Sequence, residues 1–370
     1  MRQLFYFCKN SWWDERKARK VLLPLAFARL PGCSAVLVNA AASGWQCPRR
    51  PGIWCHPDAD MSVLSPVRWF PLQRFRLIRA ANQWFRWRMV RSFMRDADTT
   101  AVVLSDPEDV FIARFARQAG IRCWFDWTEE WDAYIRAAGK ESRLKADVYE
   151  IFSNVDGIIA VSRLLEEKAR AMGLETIHLQ NAVGESFIHA LDKSRQEGVP
   201  KALENIPTPI AVHIGSYNPA WIDWECLIRA AERNPSVSFC MIGGGAEDAV
   251  PASLPNNVYL LGRMAYEHLP AILAHSNLCM LLYHPKQTAG NDPTKLYEYL
   301  ASGLPIVSTP HPRALEFEKW IRIARSPVDF AGAVGEELRH CDETLTHKRR
   351  EIARQHTWRI RAEKLQARLF

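Results

Sequence analysis

Short apolar runs alternate along the chain with segments whose apolar residues recur at helical spacing. In the first half the runs are QLFYFC (3–8), AVLVNA (35–40), TAVVLS (100–105), IRCWFD (121–126), GIIAVS (157–162) and TIHLQN (176–181). Amphipathic segments such as 14–30, 107–119 and 163–172 separate them. This β-α-β rhythm predicts a parallel sheet. It lapses at DKSRQEGVPKALENIPTP (192–209), which is charged, contains Pro and Gly, and reads as a linker. It restarts with PIAVHIGS (209–216), VSFCMIGGG (237–245), NVYLLGR (257–263), NLCMLLY (277–283) and PIVST (305–309), with helices expected over 219–233, 266–275, 293–303 and 328–342. The pattern therefore predicts an α/β protein of two Rossmann-like doubly wound units, over residues 1–195 and 206–345, with a terminal stretch 346–370. Ligands of such sheets bind at the carboxyl ends of the strands. Two units joined by one linker are expected to face a cleft.

Composition narrows the picture modestly. The 370 residues suit two domains, and 48% apolar with 24% charged content is ordinary for a globular chain. The nine cysteines are scattered with no C-x-x-C pair, so neither a disulfide framework nor a metal site is expected. GIWCHPD (52–58) joins Cys to His but lacks a second ligand pair. The start, MRQLFYFCKNSWWDERKARK, turns charged too soon for a signal peptide, and VLLPLAFARL is too short to span a bilayer. A cytoplasmic location follows as the expectation. The net charge of +7 points toward anionic partners.

The most informative stretch is NDPTKLYEYLASGLPIVST (291–309), a loop, a helix and a strand. Pro293 suits the first helical position, Asp292 is a capping candidate and Gly303 a stop. Such a helix start offers backbone N–H groups and the positive end of the helix dipole to an anion. Lys295 adds a full positive charge, and Glu298 lies one turn on along the same face. Pyrophosphate on Lys295 and ribose on Glu298 would describe a nucleoside diphosphate; an exposed ion pair on a surface helix is the plainer alternative. Three glycine turns at strand ends, HIGSYNP (213–219), MIGGGAED (241–248) and LGRMAYE (261–267), allow close approach of a ligand to the backbone. Neither G-x-G-x-x-G nor a P-loop is present.

These segments together resemble the GT-B glycosyltransferases, enzymes of two Rossmann-like domains that use nucleotide-sugar donors. The likeness runs through HIGSYNPAWIDWECLIRAAERNPSVSFCMIGGG, NVYLLGRMAYEHLPAILAHSNLCMLLY and NDPTKLYEYLASGLPIVST, and is strongest to bacterial cell-envelope and exopolysaccharide transferases related to glycosyltransferase family four. CWFDWTEEWDAY (123–134) and VDGIIAVSRLLEEKARAMG (155–173) carry a weaker likeness, and ARQHTWRIRAEKL (353–365) resembles the last helix of such enzymes, which packs back on the first domain. The resemblance implies that Gly215 and Ser216 lie near the phosphates, and Arg263 and Met264 at the base. Asn291 and Thr294 would assist Lys295 at the pyrophosphate, and Glu298 would hold the ribose. It implies a UDP- or GDP-linked sugar as donor, with no separate cofactor and no metal. Many family-four enzymes carry a second glutamate eight residues before the ribose one. Here that position is Gly290, so donor sugar and a retaining mechanism do not carry over, and the chain leans toward inversion.

Transfer to a hydroxyl often needs a carboxylate base. Asp126, Glu129 and Glu130 in FDWTEEWDAY are the candidates, Asp126 first because it ends a strand; Asp132 follows them. Trp12, Trp13 and Asp14 are candidates for the acceptor side, and His284 for the donor phosphates. A second stretch, 68–95, holds eight arginines interleaved with Trp69, Phe70, Phe75, Trp84, Phe85, Trp87 and Phe93, and no acidic residue. Arginine with interfacial aromatics suits an anionic bilayer surface, with Trp84, Arg86, Trp87, Arg88 and Arg91 as the membrane and acceptor surface. A core helix with a solvated arginine face is the plain alternative, and single-stranded nucleic acid, which is not the expected partner, the third. The sequence thus reads as a glycosyltransferase acting on a polysaccharide or glycolipid precursor, lipid-linked, as a peripheral protein on the inner face of the cytoplasmic membrane. An inactive nucleotide- or partner-binding protein, or a sugar-nucleotide epimerase, on the same fold are the alternatives.

Overall fold

The computed structural model describes residues 1–8, 19–40, 42–43, 52–72, 74–130, 141–218, 221–244, 250–340 and 342–370. The chain divides into two compact units, Met1–Gln180 with Trp358–Phe370, and Asn181–Thr357.

The first unit is built on an eight-stranded sheet. Its order is Glu175–His178, Gly157–Ala160, Arg122–Trp127, Thr100–Leu104, Arg2–Phe7, Cys33–Val38, Met61–Ser65, Gly52–Cys55. All neighbours are parallel except the last pair. The central strands are buried along their whole length, which is why they read as continuous apolar runs instead of alternating ones. One face carries a core that includes Phe5, Phe7, Val102, Leu104, Cys123, Phe125, Ile158 and Ala160. Trp124 and Asp126, which alternate with those residues, are also buried and lie outside that core cluster. The helix Arg19–Ala28 packs on the closing helix Trp358–Leu369.

The second unit has a six-stranded parallel sheet in the order Val258–Gly262, Ser238–Gly243, Ile210–Gly215, Leu278–Leu281, Ile306–Ser308, Arg322–Ile323. An apolar layer covers each face. Ile210, Val212, Ile214, Cys240, Ile242 and Leu281 join one layer with Leu296 and Leu300. Ala211, Phe239, Met241, Leu278, Met280 and Val307 join the other with Leu227 and Phe330. The period of two along each strand assigns the sides.

The eleven expected strand runs all contain strands, and the two-sheet α/β architecture is as the pattern implied. Five described strands escaped notice: Ala42–Ser43, Gly52–Cys55, Met61–Ser65, Val67–Arg68 and Arg322–Ile323, of which the first and fourth pair as a small separate parallel sheet. The unit boundaries also differ from the expected ones. The helix Glu185–Ser194, placed by sequence with the first domain, buries Phe187 and Leu191 in the core of the second unit. The helix Glu343–Arg354 packs on Thr294–Ser302 of that same unit. Only the helix from Trp358 onward belongs with the first unit. The charged composition of 192–209 marked a surface segment, while the division falls between the half-buried Gln180 and the buried Asn181, where no charge run or glycine marks it.

Candidate functional site

The residues that carry the family resemblance in the second unit gather around the carboxyl end of its strand Ile210–Gly215. That strand ends in register with its neighbour, Gly215 opposite Gly243. Both glycines have positive φ, 149° and 128°. A side chain at 215 would collide with the Lys295 ammonium, and one at 243 with the Gly215 carbonyl. Glycine at 215 therefore lets the Lys295 ammonium approach the strand end, and glycine at 243 lets the two strand ends lie against each other.

Lys295 lies in the first turn of the helix Thr294–Ser302 and is 9% exposed. Its Nζ sits 4.8 Å from the centroid of the Tyr283 ring and 3.3 Å from His213 Nε2. His213 is fully buried, and its Nδ1 is 3.0 Å from the Met280 carbonyl. Nδ1–H donates to that carbonyl, so Nε2 accepts from the ammonium. Burial, and then the nearby Lys295, hold the His213 pKa well below its ordinary value, so the ring is neutral. Among the described residues Lys295 forms no ion pair with a carboxylate. It is a buried cation held by neutral partners.

No side chain caps the first turn of this helix, and no acidic residue lies in it. Pro293 is the N-cap residue in extended conformation, one position earlier than expected. Asp292 is not the cap. Its carboxylate accepts from the Asn181 backbone N–H at 2.6 Å and from the Tyr297 hydroxyl at 2.8 Å, with Arg313 Nε 3.5 Å away. The positive end of the helix dipole is left uncompensated beside the Lys295 ammonium.

Glu298 is 4% exposed. Burial raises its carboxyl to about 7, against the pull of Tyr266 and Lys295. The Tyr266 hydroxyl is buried without a partner in hydrogen-bonding geometry, although it stands close enough to Glu298 to influence its titration. The pair Lys295 and Glu298 is therefore not the exposed surface ion pair of the plainer alternative. Asn291 and Thr294 flank the helix start half-buried, and Ser216 is exposed beyond Gly215. Arg263 is exposed and its Nε donates to the Gly244 carbonyl; Met264 packs against the core. His284 lies 3.8 Å from Asp223. Sequence reasoning missed His213, Tyr283 and Tyr266. The signal was a histidine inside a buried strand, two residues before the glycine that drew attention.

In the first unit the candidate bases separate. Asp126 is 1% exposed, accepting from Arg19 Nε and Nη2 at 2.9 Å each and from the Tyr6 hydroxyl. Arg19 in turn donates to the Leu179 carbonyl at 2.7 Å. Asp126 ends a strand, as expected, but its lone pairs are committed to a buried structural pair. Glu130 is paired with Lys168. Glu129 is half-buried and has no side-chain partner among the described residues; its backbone carbonyl accepts from Trp127 Nε1 at 2.8 Å. Trp12, Trp13, Asp14 and Asp132 lie outside the described residues.

The arginine-rich stretch needs correction at two positions. Arg86 is 7% exposed, donating to Asp109 at 2.6 Å and to the Asn39 carbonyl at 3.1 Å. Trp87 is a core residue. Neither can touch a membrane. Trp84 and Arg88 are exposed, and Arg91 is half-buried. No described helix is long and apolar enough to cross a membrane.

Two Rossmann-like units with these sheet orders, and the glycine-lined strand ends of the second, define the GT-B fold of the glycosyltransferases. Residues 224–367 match the family model described as glycosyl transferase-like. Among curated proteins it is similar to the putative teichuronic acid biosynthesis glycosyltransferase TuaH of Bacillus subtilis (strain 168), 26% identical over 233 residues. That match covers 58% of this chain and 57% of the relative. Among solved structures, sucrose-phosphate synthase from Thermosynechococcus elongatus superposes with a TM-score of 0.73 at 14% identity, covering 99% of this chain and 97% of the other. Anabaena HepE, solved in complex with UDP and glucose, gives 0.63 at 14% identity, covering 99% and 98%.

Proposed function

We propose that the protein transfers a sugar from a nucleoside-diphosphate sugar to a cell-envelope polysaccharide or glycolipid precursor. The observation that carries this reading is Lys295: a buried ammonium without a carboxylate partner among the described residues, at an uncapped helix start, packed against the glycine that ends the strand Ile210–Gly215. In the reaction an acceptor hydroxyl oxygen attacks the anomeric carbon. The bond from that carbon to the diphosphate breaks, and the nucleoside diphosphate leaves with the electron pair. The helix dipole and Lys295 neutralise the charge that builds on the leaving group, so the reading requires neither metal nor cofactor. Glu298 accepts from the ribose hydroxyls, Asn291, Thr294, Gly215 and Ser216 flank the phosphates, and Arg263 and Met264 flank the base.

Glu129 is the carboxylate that deprotonates the acceptor. It takes this role because Asp126 and Glu130 are engaged elsewhere, and it implies inversion. The acceptor is lipid-linked at the inner face of the cytoplasmic membrane. The similarity to the teichuronic acid transferase supports an envelope glycan, and the HepE complex with UDP and glucose supports UDP as the nucleotide. Calorimetric titration with UDP and GDP, followed by turnover of a panel of nucleotide sugars with and without acceptor, tests the reading. A protein that binds neither nucleotide would overturn it, and one that binds but never turns over would be a nucleotide-binding protein instead.

A further inference from the structure

The helix Arg76–Arg91 buries four polar residues and exposes three large apolar ones beside Arg76 and Arg88. Its buried face is Arg79, Asn82, Gln83, Arg86, Trp87 and Val90. Each polar member has its own partners within the unit. Arg79 donates to Asp147 at 2.5 and 2.9 Å, and Arg86 to Asp109. The Gln83 amide donates to the Glu108 carbonyl at 2.6 Å and its oxygen accepts from the Phe111 N–H at 3.0 Å. Asn82 accepts from the backbone N–H groups of Trp69 and Phe70 and donates to the Phe70 carbonyl, all at 2.9 Å.

The opposite face presents Leu77, Trp84 and Phe85, which are 85%, 41% and 39% exposed. Leu77, Trp84 and Arg88 are spaced seven and four apart, one stripe of a helix. The three hydrogen bonds from Asn82 pin the preceding segment so that Trp69, Phe70 and Leu72 continue the patch, 65%, 43% and 54% exposed. The Phe85 ring meets those of Trp69, Phe70 and Trp84 at centroid distances of 6.0, 6.1 and 4.9 Å. A water-facing helix has the reverse polarity. An exposed apolar patch built on an anchored polar face marks an interaction surface.

Charge selects the partner. Residues 61–95 contain no acidic side chain. Arg74 and Arg88 are exposed and lie over the rings of Phe75 and Trp84, at 4.9 and 5.2 Å. Arg68, Arg74, Arg88 and Arg91 form no ion pair among the described residues. We infer that this face docks on an anionic lipid bilayer, its aromatics and leucines entering the interface and its unpaired arginines meeting the headgroups. The inference gives the membrane half of the proposed function a surface and is independent of its donor half.

The test is co-sedimentation of the full chain with vesicles. Binding to phosphatidylglycerol vesicles, weak binding to phosphatidylcholine vesicles, and release by high salt are expected. The triple variant Leu77→Ser, Trp84→Ser, Phe85→Ser should lower the partition coefficient more than about tenfold while the domain stays folded by circular dichroism, since none of the three lies in the core cluster of the unit. Arg74→Glu with Arg88→Glu should lower it about thirtyfold, each arginine accounting for about fivefold. A wild type that ignores anionic vesicles overturns the inference. So does a triple variant that binds them normally, or light scattering that shows a stable dimer dissociated by that variant, which would make a second copy the occupant. Calorimetry with UDP on the same samples keeps the two readings apart, since loss of nucleotide binding would strike the donor reading alone.

Discussion

Lys295→Met isolates the feature on which the proposed donor site rests. The substitution keeps an unbranched apolar stem of similar reach and removes the ammonium. In the free protein that ammonium contributes little to the fold. Its hydrogen-bonding partner is a neutral imidazole at 3.3 Å, and it has no carboxylate partner among the described residues. Burying an unpaired cation costs free energy, so replacing it should leave the melting temperature unchanged or raise it. His213 keeps its bond to the Met280 carbonyl and stays neutral, because burial is the main cause of its lowered pKa. With a diphosphate present the balance reverses. A charge-assisted contact contributes about 1.5–3 kcal/mol, which corresponds to roughly ten- to 150-fold in affinity.

The assay is calorimetric titration of wild type and Lys295→Met with UDP at one fixed salt concentration, beside thermal unfolding without nucleotide. The expected pair of results is a large loss of affinity with no loss of stability. An affinity within about twofold of wild type refutes the phosphate assignment. A melting temperature lowered by more than about 4 °C, roughly 1–2 kcal/mol for a unit of this size, refutes the claim that Lys295 is kept for a ligand and makes it a structural residue.

Three other outcomes follow from the same geometry. The Glu298 carboxyl sits at about 7 in the folded chain against 4.5 as its ordinary value, so its protonated form favours the fold below about pH 4.5 and this contribution is lost as pH rises through about 7. Glu298→Gln should therefore gain stability relative to wild type between those limits, on the order of 3 kcal/mol, while the preference for UDP over its 2′-deoxy form, which should rise with pH in wild type, goes flat. Glu129→Gln should cut turnover by about 10²–10⁴ with the melting temperature intact, whereas Asp126→Asn should destabilise by about 3–5 kcal/mol because it strands Arg19 in the interior; the reverse pattern in unfolding and rate assays would return the base to Asp126. Trp87→Ala should destabilise by about 3–5 kcal/mol in chemical denaturation, and a near-neutral result would contradict its place in the core.

The strands were legible because a strand covered on both faces must be apolar throughout, and the runs 3–8, 100–105 and 209–216 show that directly. The strand Gly52–Cys55 was not, since it is an exposed antiparallel edge. The unit boundary was misplaced because polarity reports exposure and not membership: Glu185–Ser194 is amphipathic wherever it packs. Within the proposed site, spacing put Lys295 and Glu298 one turn apart on one helix but left the exposed ion pair as the alternative, and their burial was not legible. His213 and Tyr283 were not, since their positions depend on which strands neighbour one another. The environment of Asp126 was hidden for a related reason. Its place at a strand end was visible, but the Arg19 and Tyr6 that occupy it come from more than a hundred residues away.

The helix Arg76–Arg91 and the residue Lys295 argue the same point from opposite directions. Arg19, Arg79 and Arg86 are buried, and each has an aspartate within 3 Å. Such pairs explain themselves: the charge is interior because its partner is, and removing either member strands the other. These arginines hold the first unit together and need no ligand. Lys295 is equally interior and lacks the partner, so the fold alone does not account for it. Likewise each polar side chain on the inward face of Arg76–Arg91 has a partner within the unit, although Arg79 Nε and Arg86 Nε are buried without one, while Leu77, Trp84 and Phe85 stand exposed on the outward face. Where every local choice agrees with the fold, a residue tells little about function; where one disagrees and the rest of the structure is arranged to hold it, something outside the chain completes it. By that criterion, among the described residues, Lys295 on the second unit agrees with the proposed anion site and the outward face of Arg76–Arg91 on the first with the proposed bilayer contact. A transferase that draws a charged donor from solution and an acceptor from a lipid surface needs both.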